Sequence, residues 1–135
     1  MTTVTTSRKP ESEVRALAKD LAFAAKCRYM VRGKMGMKEV GEQDPFFLIV
    51  FREKGEMRIQ AFDHGVPSGE IIATSVSVSR REDEFKSGIF TSNQSIYELL
   101  KSYVPVTLSK GGKDMLSFDG TRRTRYHLTV VIHAA

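Results

Sequence analysis

Val14, Leu17, Ala18, Leu21, Ala24 and Ala25 recur at three- and four-residue spacing, which places them on one face of a helix over residues 10–26. Pro10 followed by Glu11 and Glu13 suits the first turn of that helix, where proline forfeits no hydrogen bond and carboxylates meet the positive end of the dipole. Arg15, Lys19 and Lys26 group beside the apolar face. Residues 1–9 are Thr-rich, show no apolar periodicity and read as a disordered tail. After the helix, Tyr29, Val31, Met35 and Met37 alternate with Arg32, Lys34 and Lys38, so residues 28–40 are expected as a strand or extended ribbon.

Asp44-Pro45 breaks the chain before the unbroken apolar run Phe46-Phe-Leu-Ile-Val-Phe51, a pattern suited to a strand covered on both faces. Glu53-Lys-Gly-Glu56 turns it into a second strand, in which Met57, Ile59 and Ala61 alternate with Arg58 and Gln60. A longer loop is expected over residues 63–69, then a strand over 71–79. In that strand Ile72, Val76 and Val78 share one face and Ala73, Ser75, Ser77 and Ser79 the other, a flat surface for a packed helix or for a closely approaching backbone or base. Ser92 or Asn93 caps a helix through Ile96, Leu99, Leu100 and Tyr103, which Pro105 ends. Val106 and Leu108 begin a strand, Met115 to Phe118 forms another, and Asp119-Gly120 signals a hairpin. In the last strand Tyr126, Leu128, Val130 and Ile132 face one way, with Arg123, Arg125, His127, Thr129 and His133 facing the other.

These elements make one α+β domain over residues 10–135, a length that one core accommodates. The formal charge is +5, distributed as +5 over residues 1–40, −2 over 41–80 and +2 over 81–135. Clustered Lys and Arg of this kind point to a polyanionic partner as well as to solubility. The longest apolar run is far short of the ~20 residues of a membrane helix, and no secretory or organelle-type leader is evident, since Glu11 and Glu13 interrupt the basic start. A cytoplasmic or other intracellular, non-secreted protein of bacterial or viral origin is therefore expected.

One Cys and three scattered His residues offer no convergent metal spacing, and no glycine-rich phosphate loop occurs, so neither metal nor cofactor is expected. The best catalytic candidate is His127-Leu-Thr129, which resembles half of the paired motif of two-histidine phosphoesterases; after His64, however, a Val stands where the second hydroxyl belongs. A separate possibility is a protein-interaction module, for instance an inhibitor of a cellular enzyme, presenting Phe23, Met30, Met35 and Met37 as an adaptable apolar patch.

Tyr29-Met-Val-Arg-Gly-Lys34 resembles the K-G-K strand motif of the Whirly family of single-stranded nucleic-acid-binding proteins, with Arg32, Gly33 and Lys34 on K-G-K. The Phe46 to Phe51 run, the turn after it, Phe62-Asp63-His64, Asp119-Gly-Thr121 and Tyr126-His-Leu-Thr-Val130 are similar in order to further segments of that family. Lys86-Ser-Gly-Ile89 leading to Leu99-Leu-Lys101 resembles the related positive-cofactor-four coactivators. The resemblance implies a Whirly-like fold of twisted antiparallel sheets, homo-oligomerisation, and binding of single-stranded RNA or DNA with little sequence preference and no catalysis. RNA is the favoured ligand. Arg32, Lys34 and Lys38 would hold phosphates, Arg123, Arg125 and His127 would extend the surface, and Tyr29 or Phe62 would stack on bases. Edges near residues 28–40 and 122–133 are the expected oligomer contacts.

Overall fold

The computed structural model describes residues 2–134. Strand β1 (Thr3–Thr6) precedes helix α1 (Ser12–Ala25), followed by β2 (Arg28–Tyr29), α2 (Met37–Gln43), β3 (Phe46–Glu53), β4 (Glu56–Asp63) and β5 (Val66–Arg80). Then come β6 (Ile89–Thr91), α3 (Gln94–Leu100), β7 (Val106–Leu108), β8 (Met115–Asp119) and β9 (Thr124–Ala134). All nine strands join one mixed sheet in the order β2-β1-β3-β4-β5-β9-β8-β6-β7. With three helices, two of seven residues each, the fold is mostly sheet and departs from the expected α+β layout.

Helix α1 forms where its periodicity places it. Val14, Leu17, Ala18, Leu21, Ala24 and Ala25 are all buried, and the helix stops at Lys26, which adopts a left-handed conformation (φ 56°) and donates its N–H to the carbonyls of Ala22 and Phe23. The helix packs on β1, β2 and β3 on one side and on β8 on the other, so the sheet curls about it as a half-barrel. Contacts between distant segments hold the curl: Thr2 Oγ1 donates to the Tyr103 carbonyl (2.8 Å), and Phe46 stacks on the Tyr103 ring at 3.6 Å. The inner face carries Leu48, Val50, Met57, Ile59, Ile71, Leu116, Phe118, Leu128 and Val130 against α1. A smaller cluster on the outer face puts Val40 of α2 over Phe47, Ile49 and Phe62.

Within the stretch expected as a disordered tail, residues 3–6 are ordered in a strand. Thr3 to Thr6 form a fully buried strand, paired in parallel with β3 and with β2. Its three threonines conceal it in the sequence, because a buried hydroxyl costs little once bonded: Thr5 Oγ1 donates to the Met30 carbonyl (2.6 Å), and Thr3 bonds Asp44. Residues 28–40 are likewise not a ribbon. After two strand residues the chain turns at Gly33 (φ 55°) and enters α2, with Arg32 drawn inward to the Thr6 and Met35 carbonyls. The loop expected over residues 63–69 is a tight turn at His64 and Gly65, and β5 starts at Val66.

A bulge after Ala73 inserts Thr74 into β5 and keeps both flanking segments in phase with the core, Ile71 and Ala73 before it and Val76 and Val78 after it facing inward. Strand β9 pairs with β5 on one side and β8 on the other, so within the expected edge of residues 122–133 the strand residues, 124 onward, are central to the sheet. No helix covers residues 75–79, which are exposed; α3 packs over β5 near Gly69, whose Cα lies so close that an added methyl would meet Leu99 Cδ2 at 3.0 Å.

Candidate nucleic-acid interface

Asp20, on the inward side of α1, anchors the turn between β8 and β9. Its carboxylate accepts from the Thr121 N–H (3.0 Å), the Thr121 hydroxyl (2.7 Å) and the Tyr126 hydroxyl (2.5 Å). Burial, then the bond to Asp20, raises the Tyr126 phenol well above its ordinary range, so it stays a donor. The anchored turn presents Arg122 and Arg123 to solvent, both in left-handed conformations (φ 56° and 57°) that cost an L-residue on the order of 1 kcal/mol each.

Three surface depressions adjoin along the outside of α1. The first is lined by Lys9, Arg15, Tyr29 and Lys34, the second by Arg15, Lys19, Arg122 and Thr124, and the third by Arg80, Arg122, Arg123 and Thr124. Arg15 joins the first to the second, and Arg122 joins the second to the third. The result is a continuous cationic track. Lys19 Nζ lies 5.7 Å from the centroid of the half-exposed Tyr29 ring, which puts an aromatic face beside the cations. Asp20 is the carboxylate in the middle depression, and its oxygens are occupied by Thr121 and Tyr126. Among the described residues Lys9, Arg15, Lys34, Arg122 and Arg123 have no carboxylate partner.

The residues singled out in the sequence divide across the molecule. Tyr29, Lys34 and Arg123 lie on the track. Arg32 is only 8% exposed, with Nη1 on the Thr6 carbonyl (3.0 Å) and Nε on that of Met35 (2.7 Å); it fastens the β2–α2 segment to β1. Phe62 is 5% exposed and stacks on Phe47 at 4.8 Å, a core position from which it cannot reach a base. Lys38 is exposed on α2. Arg125 and His127 occupy the outer face of β9, away from α1. Arg125 donates to both Asp119 oxygens (2.7 and 3.1 Å) and to Asp83. The track also holds Lys9, Arg15, Lys19 and Arg122, of which the sequence groups only Arg15 and Lys19, beside the apolar face of the helix. The i, i+4 spacing of Arg15 and Lys19 was a usable signal, but their meeting with Arg122 is a product of the curl.

Burial works against ionisation of Asp119, yet the bonds from Arg125 and the Lys86 N–H, with Arg81 nearby, hold its carboxyl below the usual range. A depressed folded-state pKa contributes stability that is present above the unfolded value and lost as pH falls. The protein should therefore lose stability below about pH 4. Asp119→Asn should flatten that limb in urea melts across pH 3–7; an unchanged slope would assign the acid limb to other carboxylates.

Catalytic alternatives find no support in the geometry. His64 sits at the β4–β5 turn, whereas His127 is opposite Ser77, thirteen residues further along, roughly 40 Å at ~3.3 Å per residue, so the two cannot converge. Burial, with Asp44 adding to it, pushes the Cys27 thiol up to about 11, leaving no thiolate nucleophile at neutral pH. The suggested apolar patch is dispersed: Phe23 is edge-on to Phe85 at 5.3 Å, while Met30 and Met35 pack on the outer cluster. No helix among the described residues is long and apolar enough to cross a membrane.

Comparison with solved structures settles the architecture. The crystal structure of Mil, an archaeal Imp4-like protein, superposes with a TM-score of 0.69 at 21% identity, covering 98% of this chain and 99% of that one. The chain has an Imp4-like fold. A probable ribosomal biogenesis protein from Aeropyrum pernix superposes at 0.65 with 16% identity, covering 96% and 94% of the two chains. In sequence, a probable Brix domain-containing ribosomal biogenesis protein of Archaeoglobus fulgidus is 27% identical over 133 residues, 98% of this chain and 82% of that protein. One of the same description from Methanococcoides burtonii is 34% identical over 64 residues, 47% of this chain and 36% of its own length. No protein-family profile matches the chain. The Whirly-like resemblance is thereby overturned: the short segments that suggested it are ordinary strand and turn sequences, here arranged in an Imp4-like sheet. The expected bacterial or viral origin is corrected as well, since these relatives are archaeal.

Proposed function

We propose that this protein binds RNA during ribosome assembly and does so without catalysis. The observation that carries the reading is the run of cations, without carboxylate partners among the described residues, from Lys34 and Lys9 across Arg15 to Arg122 and Arg123. An α-helix flanked by two loops that converge on one row of positive charge suits a polynucleotide backbone, which presents evenly spaced phosphates. Two arginines held at positive φ support the same reading, because glycine would close that turn at lower cost and strain of this kind gathers at functional positions. Tyr29, beside Lys19, supplies one surface for an unpaired base, so contact is mainly with the backbone and sequence preference is small. The described relatives in ribosome biogenesis make precursor ribosomal RNA the appropriate ligand and the interior of the cell the appropriate place.

The reading is tested by fluorescence anisotropy with an RNA containing an unpaired segment, titrated between about 50 and 300 mM salt. Four to five phosphate contacts at about −0.7 each predict a log–log slope near −3. A slope close to zero would remove the cationic track from the binding account.

A further inference from the structure

Strand β5 is paired with β9 through Arg80, but β4 accompanies it only as far as Ala73, because the turn over residues 53–56 closes the β3–β4 hairpin there. Residues 75–79 therefore have one paired side and one open side. Open strand edges are usually blunted by lysine, proline or a covering element. This one begins at the Thr74 bulge but carries neither lysine nor proline: its sequence is Ser-Val-Ser-Val-Ser, with Val76 and Val78 40% and 55% exposed. Both valines line a groove that separates β5 from Ala16 and Leu17 of α1.

We infer that the chain dimerises through this edge, β5 pairing antiparallel with β5 of a second copy about a twofold axis at Ser77. The sequence is a palindrome around that residue. In this register Ser75 falls opposite Ser79, Val76 opposite Val78 and Ser77 opposite its own counterpart, so every valine meets a valine on the groove side and every serine a serine on the other. A twofold interface demands such self-complementarity. Each strand leaves the paired segment at the exposed Arg80, and the antiparallel register delivers that residue to the second copy's β3–β4 turn. That turn holds Glu53 and Glu56 with Lys54 between them, and both carboxylates already bond Arg58. Five residues span only about 17 Å, a contact smaller than a standard stable interface, so the association is a weak one.

Sedimentation of the RNA-free protein between about 5 and 500 µM tests this. Wild type should pass from monomer to dimer mass across that range, and Val78→Lys should weaken the association at least tenfold. In a Cys27→Ala background, Ser77→Cys should form an intermolecular disulfide under mild oxidation, whereas Ser75→Cys, displaced from the axis, should not; this holds even if the lysine variant proves poorly folded. A wild-type protein monomeric throughout, a dimer indifferent to Val78→Lys, or equal cross-linking at residues 75 and 77 would overturn the proposal.

Discussion

Gly120→Ala should lower the melting temperature by roughly 10–20 °C. A methyl at this position would stand 2.6 Å from Asp20 Cγ, 2.7 Å from Asp20 Cβ and 2.7 Å from Thr124 Oγ1, distances at which something must move. Asp20 is the wrong group to displace. Three hydrogen bonds fix its carboxylate, and pushing it aside leaves the buried Tyr126 hydroxyl without its acceptor. Overpacking costs about 1–3 kcal/mol, and an orphaned buried hydroxyl about 1–3 more. Gly112→Ala is the control, since nothing lies within 4 Å of the added methyl, and it should melt within a degree or two of wild type. If both variants melt alike, the packing of α1 on the β8–β9 turn does not have the rigidity described here.

Lys9, Arg15, Arg122 and Arg123 replaced together by alanine should reduce RNA affinity by about 30- to 1,000-fold at low salt. At roughly 0.5–1 kcal/mol per exposed phosphate contact, four contacts amount to roughly 2–4 kcal/mol. The pair Arg122→Gly and Arg123→Gly sharpens the test. Glycine relieves two left-handed residues, so this variant should melt at or above wild type while losing about a tenfold share of affinity. Lost affinity with retained stability separates a binding role from a structural one. By contrast, His127→Ala should leave binding nearly intact, because its side chain lies on the opposite face of the sheet. Arg32→Ala should act mainly through stability, since it removes the tie between the β2–α2 segment and β1.

Much of the local structure could be read from residue patterns, because α1, β3, β4, α3, β8 and β9 each bury one periodic face or an apolar run. Strand β1 was hidden by threonines whose hydroxyls find acceptors only after folding. The alternation across residues 29–38 looked like a ribbon, yet Arg32 turns inward and Met37 begins a helix, a choice made by tertiary partners rather than local propensity. Pairings between β1 and β3, and between β6 and β7, are parallel and non-local, and neither periodicity nor turn chemistry marks them. The same gap explains the candidate site. Lys34, Tyr29 and Arg123 were visible as cationic or aromatic residues, but the track forms only when the sheet curls around α1 and brings segments about ninety residues apart to either side of Arg15.

Photo-cross-linking with a thiouridine-substituted RNA, followed by peptide mapping by mass spectrometry, tests the RNA-binding surface most directly. Adducts should fall on Tyr29 and on peptides carrying residues 9–19 and 120–124. Adducts confined to the outer face of β9, at His127 and His133, would contradict the account even if the protein bound RNA tightly.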